Sequence, residues 1–276
     1  MTSTPPCIVV GATDRGLRRA RNEDSFTVFP EHGVAVVADG MGGHPGGDVA
    51  SEIAARTTAD RLRRVFPHGS ETNDPGADPA TSPSTDHITR KTRERAMRQS
   101  VLDAHQAVLS RGRAEPSLTG MGTTTTALVV DADAARYTVG NVGDSRAYLL
   151  RDGRLEQLTR DDTRLQELIE AGAVRPEDAM GHPESHMLTQ CVGLAPAPVP
   201  RVVEDRTRPG DVFLLCSDGL IACLRDTEIR AILTRSLDGT AAGAERAVAR
   251  LIEETNAAGG VDNVTVVVIS IPEHDA

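Results

Sequence analysis

Short apolar runs rich in β-branched residues alternate in blocks with longer stretches of helical periodicity along these 276 residues, and that arrangement predicts an α+β fold. Hydrophobic residues make up 39% of the chain, enough for a sizeable core, yet aromatics make up only 2% and tryptophan is absent. The interior must therefore be packed from Val, Ile, Leu and Ala, a set that serves strands and helices alike.

Taken in order, strands are expected at residues 8–12, 26–29 and 34–38, each short and β-branched and each ending in turn residues. A helix over 45–66 follows, with Pro45 at its first position, where a missing N–H costs nothing. Residues 67–86, PHGSETNDPGADPATSPSTD, are nearly free of large apolar side chains and cannot support a core. They are expected to form a mobile loop inside one domain spanning 1–276, because runs of the same style resume beyond them and no internal repeat exists. A second helix is expected over 89–111, then strands at 124–130, 137–139 and 147–150. Arg151-Asp152-Gly153-Arg154 reads as a hairpin turn, since Asp-Gly tolerates the positive φ that tight hairpins need. From 159 to 200 the strand rhythm stops, and polar helical pieces, one over 162–171, suggest an excursion from the core layers of the kind that carries selectivity. Strands at 212–216 and 264–271 and helices at 226–234 and 241–255 complete the chain.

A formal charge of −10 argues against a nucleic-acid footprint and against docking on an anionic membrane. The basic island RGLRRAR, Arg15 to Arg21, reads by itself as a solvated face. Cys7, Cys191, Cys216 and Cys223 contain no C-x-x-C pair, and no run of 18 apolar residues or basic-then-apolar leader is present, so a reducing cytoplasm is the expected setting. Lys91 is the sole lysine, a compositional bias without functional meaning.

The chemistry starts at VVADGMGGH, where an apolar run meets Asp39 and then glycines. Alone, an Asp-Gly after a strand is a turn. Here the arrangement recurs: Asp144 in GDSR, Asp218 after VFLLC and Asp262 before VTVVVI also sit at ends of apolar strands. Four carboxylates brought together would repel one another, so something positive must stand among them. With one lysine in the chain, a divalent ion is the economical answer, and oxygen ligands select Mg²⁺ or Mn²⁺ over zinc. Gly40, lacking a Cβ, would let its carbonyl join the ligands. Two rival readings fail: a dinucleotide fingerprint needs glycine where Pro45 stands, and a P-loop needs lysine where Asp48 stands. A cysteine-phosphatase loop fails too, since no cysteine has arginine six residues on. In RARNED, Arg19 offers a planar fork to phosphate oxygens and Glu23 could order a metal-bound water, although an isolated motif of this kind is a surface salt-bridge patch.

RGLRRARNEDSF, VVADGMGGH, TGMGTT, VGDSRAYLLRDG, QLTRDD, LCSDGL and VDNVTVVV occur in an order and spacing that resemble the bacterial form of the metal-dependent PP2C-like (PPM) serine/threonine phosphatases. The resemblance spans nearly the whole chain. It implies a four-layer αββα sandwich, two largely antiparallel sheets flanked by helices, with a Mn²⁺ or Mg²⁺ pair at one end. It further implies that Asp39 bridges both ions, that the Gly40 carbonyl binds one, and that Asp218 and Asp262 complete the other, with Glu23 acting through water. Asp144 would share a third, weaker ion with Asp218. Arg19 matches the phosphate-binding arginine, Asp24 and Asn263 match groups that orient ligands, and residues 163–194 match the flap over the site.

Where the animal branch places histidine after Asp-Gly this chain has Met41, which leaves His44 or a bound water to protonate the leaving group. Gln190 and Cys191 stand where Arg and Ala are commoner. His182 and His186 are spaced like a zinc pair, but Pro183 interrupts the helix such a pair needs, so a packing role in the flap is expected. The implied reaction is one-step hydrolysis of phosphoserine or phosphothreonine on proteins by hydroxide held between two metals, opposing a bacterial Ser/Thr kinase. Two alternatives remain at this stage: a phosphatase acting on an anti-sigma antagonist, and a catalytically weak phosphoprotein-binding regulator.

Overall fold

A strand that is apolar at every position must be covered on both faces, and this requirement shapes the molecule. The computed structural model describes residues 7–42, 46–66, 89–132, 134–179 and 181–272. Among the described residues, ten strands form two five-stranded sheets in which every pairing is antiparallel. The first sheet runs β1 (Ile8–Asp14), β10 (Val264–Ser270), β9 (Val212–Cys216), β6 (Arg146–Arg151), β7 (Arg154–Gln157). The second runs β2 (Asp24–Phe29), β3 (Val34–Asp39), β4 (Thr125–Asp131), β5 (Arg136–Val142), β8 (Arg201–Arg206).

Side-chain alternation sorts the core into three layers. Ala35, Val37, Leu128 and Val130 of the second sheet meet Leu149, Phe213, Leu215 and Val267 of the first in the central layer, where the Tyr137 and Phe213 rings lie 4.9 Å apart. Val34, Val36, Ala127 and Val129 point the other way, onto α1 (Gly47–Val65) and α2 (Arg90–Ala114). Tyr148, Leu214, Val266 and Val268 likewise face α4 (Asp218–Cys223), α5 (Asp226–Ser236) and α6 (Ala241–Ala257). The order is helices, sheet, sheet, helices, which is the αββα sandwich expected. The hairpin is also as expected: Asp152 (φ 52°) and Gly153 (φ 72°) are both left-handed, and Arg151 pairs with Arg154.

Helix starts follow the caps: the Thr89 and Thr240 hydroxyls accept from the Thr92 and Gly243 amides. Two elements depart from expectation. β8 is a strand where none is expected, because it is a polar edge strand with one neighbour, as is β7, the second arm of the expected hairpin. The six-residue α4 begins at Asp218 itself, where Ser-Asp-Gly reads as a turn. The expected loop at 67–86, His44 and the helix start at Pro45 lie outside the described residues.

Residues 163–194 leave the sandwich as one excursion. It carries α3 (Arg164–Glu170) and single turns at Pro176–Asp178 and Pro183–His186. Its base is closed by backbone bonds from Arg164 to Met187 (2.8 Å) and from Thr189 to Asp162 (2.7 Å). Return to the sandwich is made at a bridge between Thr123 and Val192.

Candidate metal centre and active site

Antiparallel pairing places strand starts beside strand ends, so residues distant in sequence share one edge of the sandwich. β3 ends at Asp39 opposite Asp24, the first residue of β2. β9 ends just before Ser217 and Asp218, β10 begins just after Asp262 and Asn263, and β6 begins just after Asp144 and Ser145. These ends border a cavity of about 530 Å³ lined by Arg19, Glu23, Asp39, Gly40, Asp144, His186, Asp218, Asp262 and Asn263, among others. Every expected metal-binding residue therefore faces the same space.

Local structure fixes each group. The Asp39 amide donates to the Thr124 hydroxyl (2.9 Å), while the Asp39 carbonyl accepts from the Thr124 amide (2.9 Å) and the Thr123 hydroxyl (2.8 Å). The two threonines belong to TGMGTT, which carried the resemblance without suggesting this clamp. Gly40 has no room for a side chain, since a Cβ would overlap the Gly47 and Glu23 carbonyls. Gly219 is equally confined by the Asn263 carbonyl, and this close approach brings Asp218 beside Asp262. Asn263 accepts from the Glu23 amide (2.8 Å) and donates to the Arg15 and Arg21 carbonyls (2.8 Å each), tying the 15–23 loop to the first sheet. Asp24 is buried and accepts from the Ser217 and Thr265 hydroxyls (2.7 Å each). Asn263 thus fixes the loop that carries Arg19 and Glu23, and Asp24 joins the start of β2 to Ser217 and to Thr265 of β10.

Electrostatics make the cluster costly without a cation. Burial, then the charges of Asp24, Asp218 and Asp144, pushes the Asp39 carboxyl well above the usual range, and burial followed by Asp218 does the same for Asp144. Burial pushes Asp24 up to about 7. Asp39 keeps an opening to the cavity, so a cation could reach it although it lies deep in the molecule. Asp24 Oδ1 is buried with no hydrogen-bond partner. Among the described residues no three His, Cys, Asp or Glu side chains are gathered closely enough to hold an ion as they stand. Instead two of the chain's own basic groups face the acids: Arg19 Nη2 is 2.5 Å from Asp262 Oδ2, and His186 Nδ1 is 3.7 Å from Asp218 Oδ2. An all-oxygen donor set of Asp39, Asp144, Asp218, Asp262 and the Gly40 carbonyl around one cavity, with a basic side chain already held against Asp262, fits hard divalent ions.

The sequence of residues 17–254 matches protein phosphatase 2C. The chain belongs to that family. It is 36% identical over 263 residues to the serine/threonine protein phosphatase PstP of Mycobacterium tuberculosis, a match covering 95% of this chain and 45% of PstP. The chain thus spans about half the length of that relative. With the serine/threonine phosphatase stp of Listeria monocytogenes it shares 34% identity, covering 93% of each. A crystal structure of the PstP catalytic domain in complex with two manganese ions superposes on this PP2C chain with a TM-score of 0.74 at 33% identity, covering 97% of this chain and 99% of the other.

Within this PP2C site one expectation changes. His186 does not pack inside the flap; it is exposed and reaches the cavity, whereas His182 caps its turn by accepting from the Glu184 amide (3.2 Å). No spacing rule marks the difference, because only the fold of the flap brings His186 over Asp218. Gln190 Oε1 accepts from the Val199 amide (2.7 Å), a bond that anchors the chain leaving the flap. Met41 lines the cavity and has no proton to donate.

Proposed function

We propose that the chain is a metal-dependent serine/threonine protein phosphatase that hydrolyses phosphoserine and phosphothreonine on proteins and opposes a bacterial Ser/Thr kinase. The carrying observation is the convergence of Asp39 from one sheet with Asp144, Asp218 and Asp262 from the other on a single cavity rimmed by Arg19. Family membership supports the reaction class, and the names of the relatives support the substrate class. The 276 residues would act as one catalytic domain, with residues 163–194 as the flap. Four free cysteines are consistent with a cytoplasmic setting, and among the described residues no helix is long and apolar enough to cross a membrane.

Asp39, the Gly40 carbonyl, Asp218 and Asp262 would hold two divalent ions, Glu23 would act through water, and Asp144 with Asp218 would hold a third. When bound, Mn²⁺ or Mg²⁺ supplies charge neutralisation and an acidified water for attack on phosphorus. The chain's own residues do the rest. Arg19, released from Asp262, presents two N–H donors to phosphate oxygens and stabilises the charge they gain in an in-line displacement. Asn263 holds the loop that carries Arg19 and Glu23, so the phosphate is oriented by the first sheet. No side chain needs to form a covalent bond to phosphorus.

The test is release of phosphate from a phosphothreonine peptide with and without Mn²⁺. Asp39→Asn and Asp218→Asn should each lower turnover by about a hundredfold or more, a loss typical of removing a group that holds transition-state charge. Turnover that persists in a chelator, or survives both substitutions, defeats the reading.

A further inference from the structure

A second hollow opens off the candidate active site, with a volume of about 760 Å³, between the flap and the segment running from Asp218 into α5. Asp144, His186, Asp218 and Val261 border both spaces, so a peptide whose phosphate entered the first would lay its neighbouring residues in the second. Its walls are partly apolar, with Leu165 and Pro176 on the flap side and Ile221 and Ala222 on α4.

The charges along this hollow are unequal in what they have left to offer. Arg146 is spent: its Nε and Nη2 donate three hydrogen bonds to Asp161 (2.7 to 3.1 Å), and its Nη1 donates to the Tyr148 hydroxyl (2.9 Å). Arg225 folds back on Glu228 (3.2 Å), and Glu177 faces Arg175 (3.3 Å). Asp226 differs. It is exposed at the first residue of α5, its Oδ1 accepts one bond from the Tyr148 hydroxyl (3.2 Å), and among the described residues no basic side chain lies in ion-pair contact with it. The arginines of the hollow are occupied, Asp226 is an open carboxylate apart from the acids of the candidate metal centre, and the chain as a whole carries −10.

We propose that this hollow receives the residues flanking the phosphorylated side chain of a protein substrate, and that Asp226 selects substrates carrying Arg or Lys beside the phosphothreonine. The proposal rests on the phosphatase reading and adds to it the charge of the preferred sequence. Three phosphothreonine peptides that differ only in Arg, Ala or Glu at the flanking positions test it, with p-nitrophenyl phosphate as a substrate that has no flanks, all assayed on the full chain with Mn²⁺. Expected is a kcat/KM order of Arg over Ala over Glu. Asp226→Asn should lower the Arg peptide by about two- to fivefold, the range of an exposed ion pair, and leave p-nitrophenyl phosphate unchanged. Asp226→Lys should reverse the Arg-to-Glu ratio, a readout that a merely structural role would not move because both peptides meet the same enzyme. Turnover of all substrates with an Arg-to-Glu ratio that neither variant alters overturns the role of Asp226 and leaves the phosphatase reading standing. No turnover of any substrate by the unaltered chain defeats both.

Discussion

Two glycines decide how closely the acids can approach. At Gly219 a single methyl group would overlap the Asn263 carbonyl oxygen, which is backbone and cannot swing aside. Gly219→Ala should therefore part α4 from the start of β10, cost about 2 kcal/mol of stability as other overpacked sites do, and weaken Mn²⁺ binding by separating Asp218 from Asp262. Thermal denaturation and a Mn²⁺ titration would check this, and unchanged values in both would refute it. At this scale the sequence is informative where chemistry repeats: acidic residues at strand ends announce the cluster because each is costly in the same way. It is uninformative where a role depends on contact. Thr123, Thr124 and His186 have ordinary neighbours in sequence, and only the folded chain brings the threonines to the Asp39 backbone and the histidine to Asp218.

Elements buried on both faces were legible, because a run such as Val34 to Ala38 needs two apolar neighbours and so declares a sandwiched strand. Edge strands carry no such mark. β8 is instead held by charge: the Glu204 side chain is fully buried and accepts from Arg93 of α2 at 2.8 Å, with Arg136 of β5 at 3.3 Å. Breaking a buried pair from one side leaves its partner's charge uncompensated. Glu204→Ala should thus cost about 3 kcal/mol, while an exposed pair on the same helix, probed by Glu94→Ala, should cost less than about 1 kcal/mol. Equal denaturant midpoints for the two variants would contradict the assignment. α4 was missed for a different reason: with six residues it is too short to show a period, and its first residue belongs to the site.

At the scale of the whole molecule, the acids sit on two sheets and their ionisation couples to folding. Asp24 is pushed up to about 7 and Asp39 and Asp144 well above their ordinary range, all chiefly by burial. In the folded chain these groups keep protons that the unfolded chain has lost by about pH 4 to 5, so their contribution to stability is fully present at lower pH and fades as pH rises through 7. In chelator the melting temperature should fall between pH 5 and 8, less steeply in Asp24→Asn, and Mn²⁺ should restore it most at the higher pH. A slope identical in the variant would refute the link. The scarcity of aromatic residues has an optical corollary. With no tryptophan, ultraviolet emission comes from two tyrosines, Tyr137 between the sheets and Tyr148 between the first sheet and its helices. Replacing either with phenylalanine leaves one fluorophore reporting on one layer, so the opening of the central seam and the lifting of the helices can be timed separately without attaching a dye.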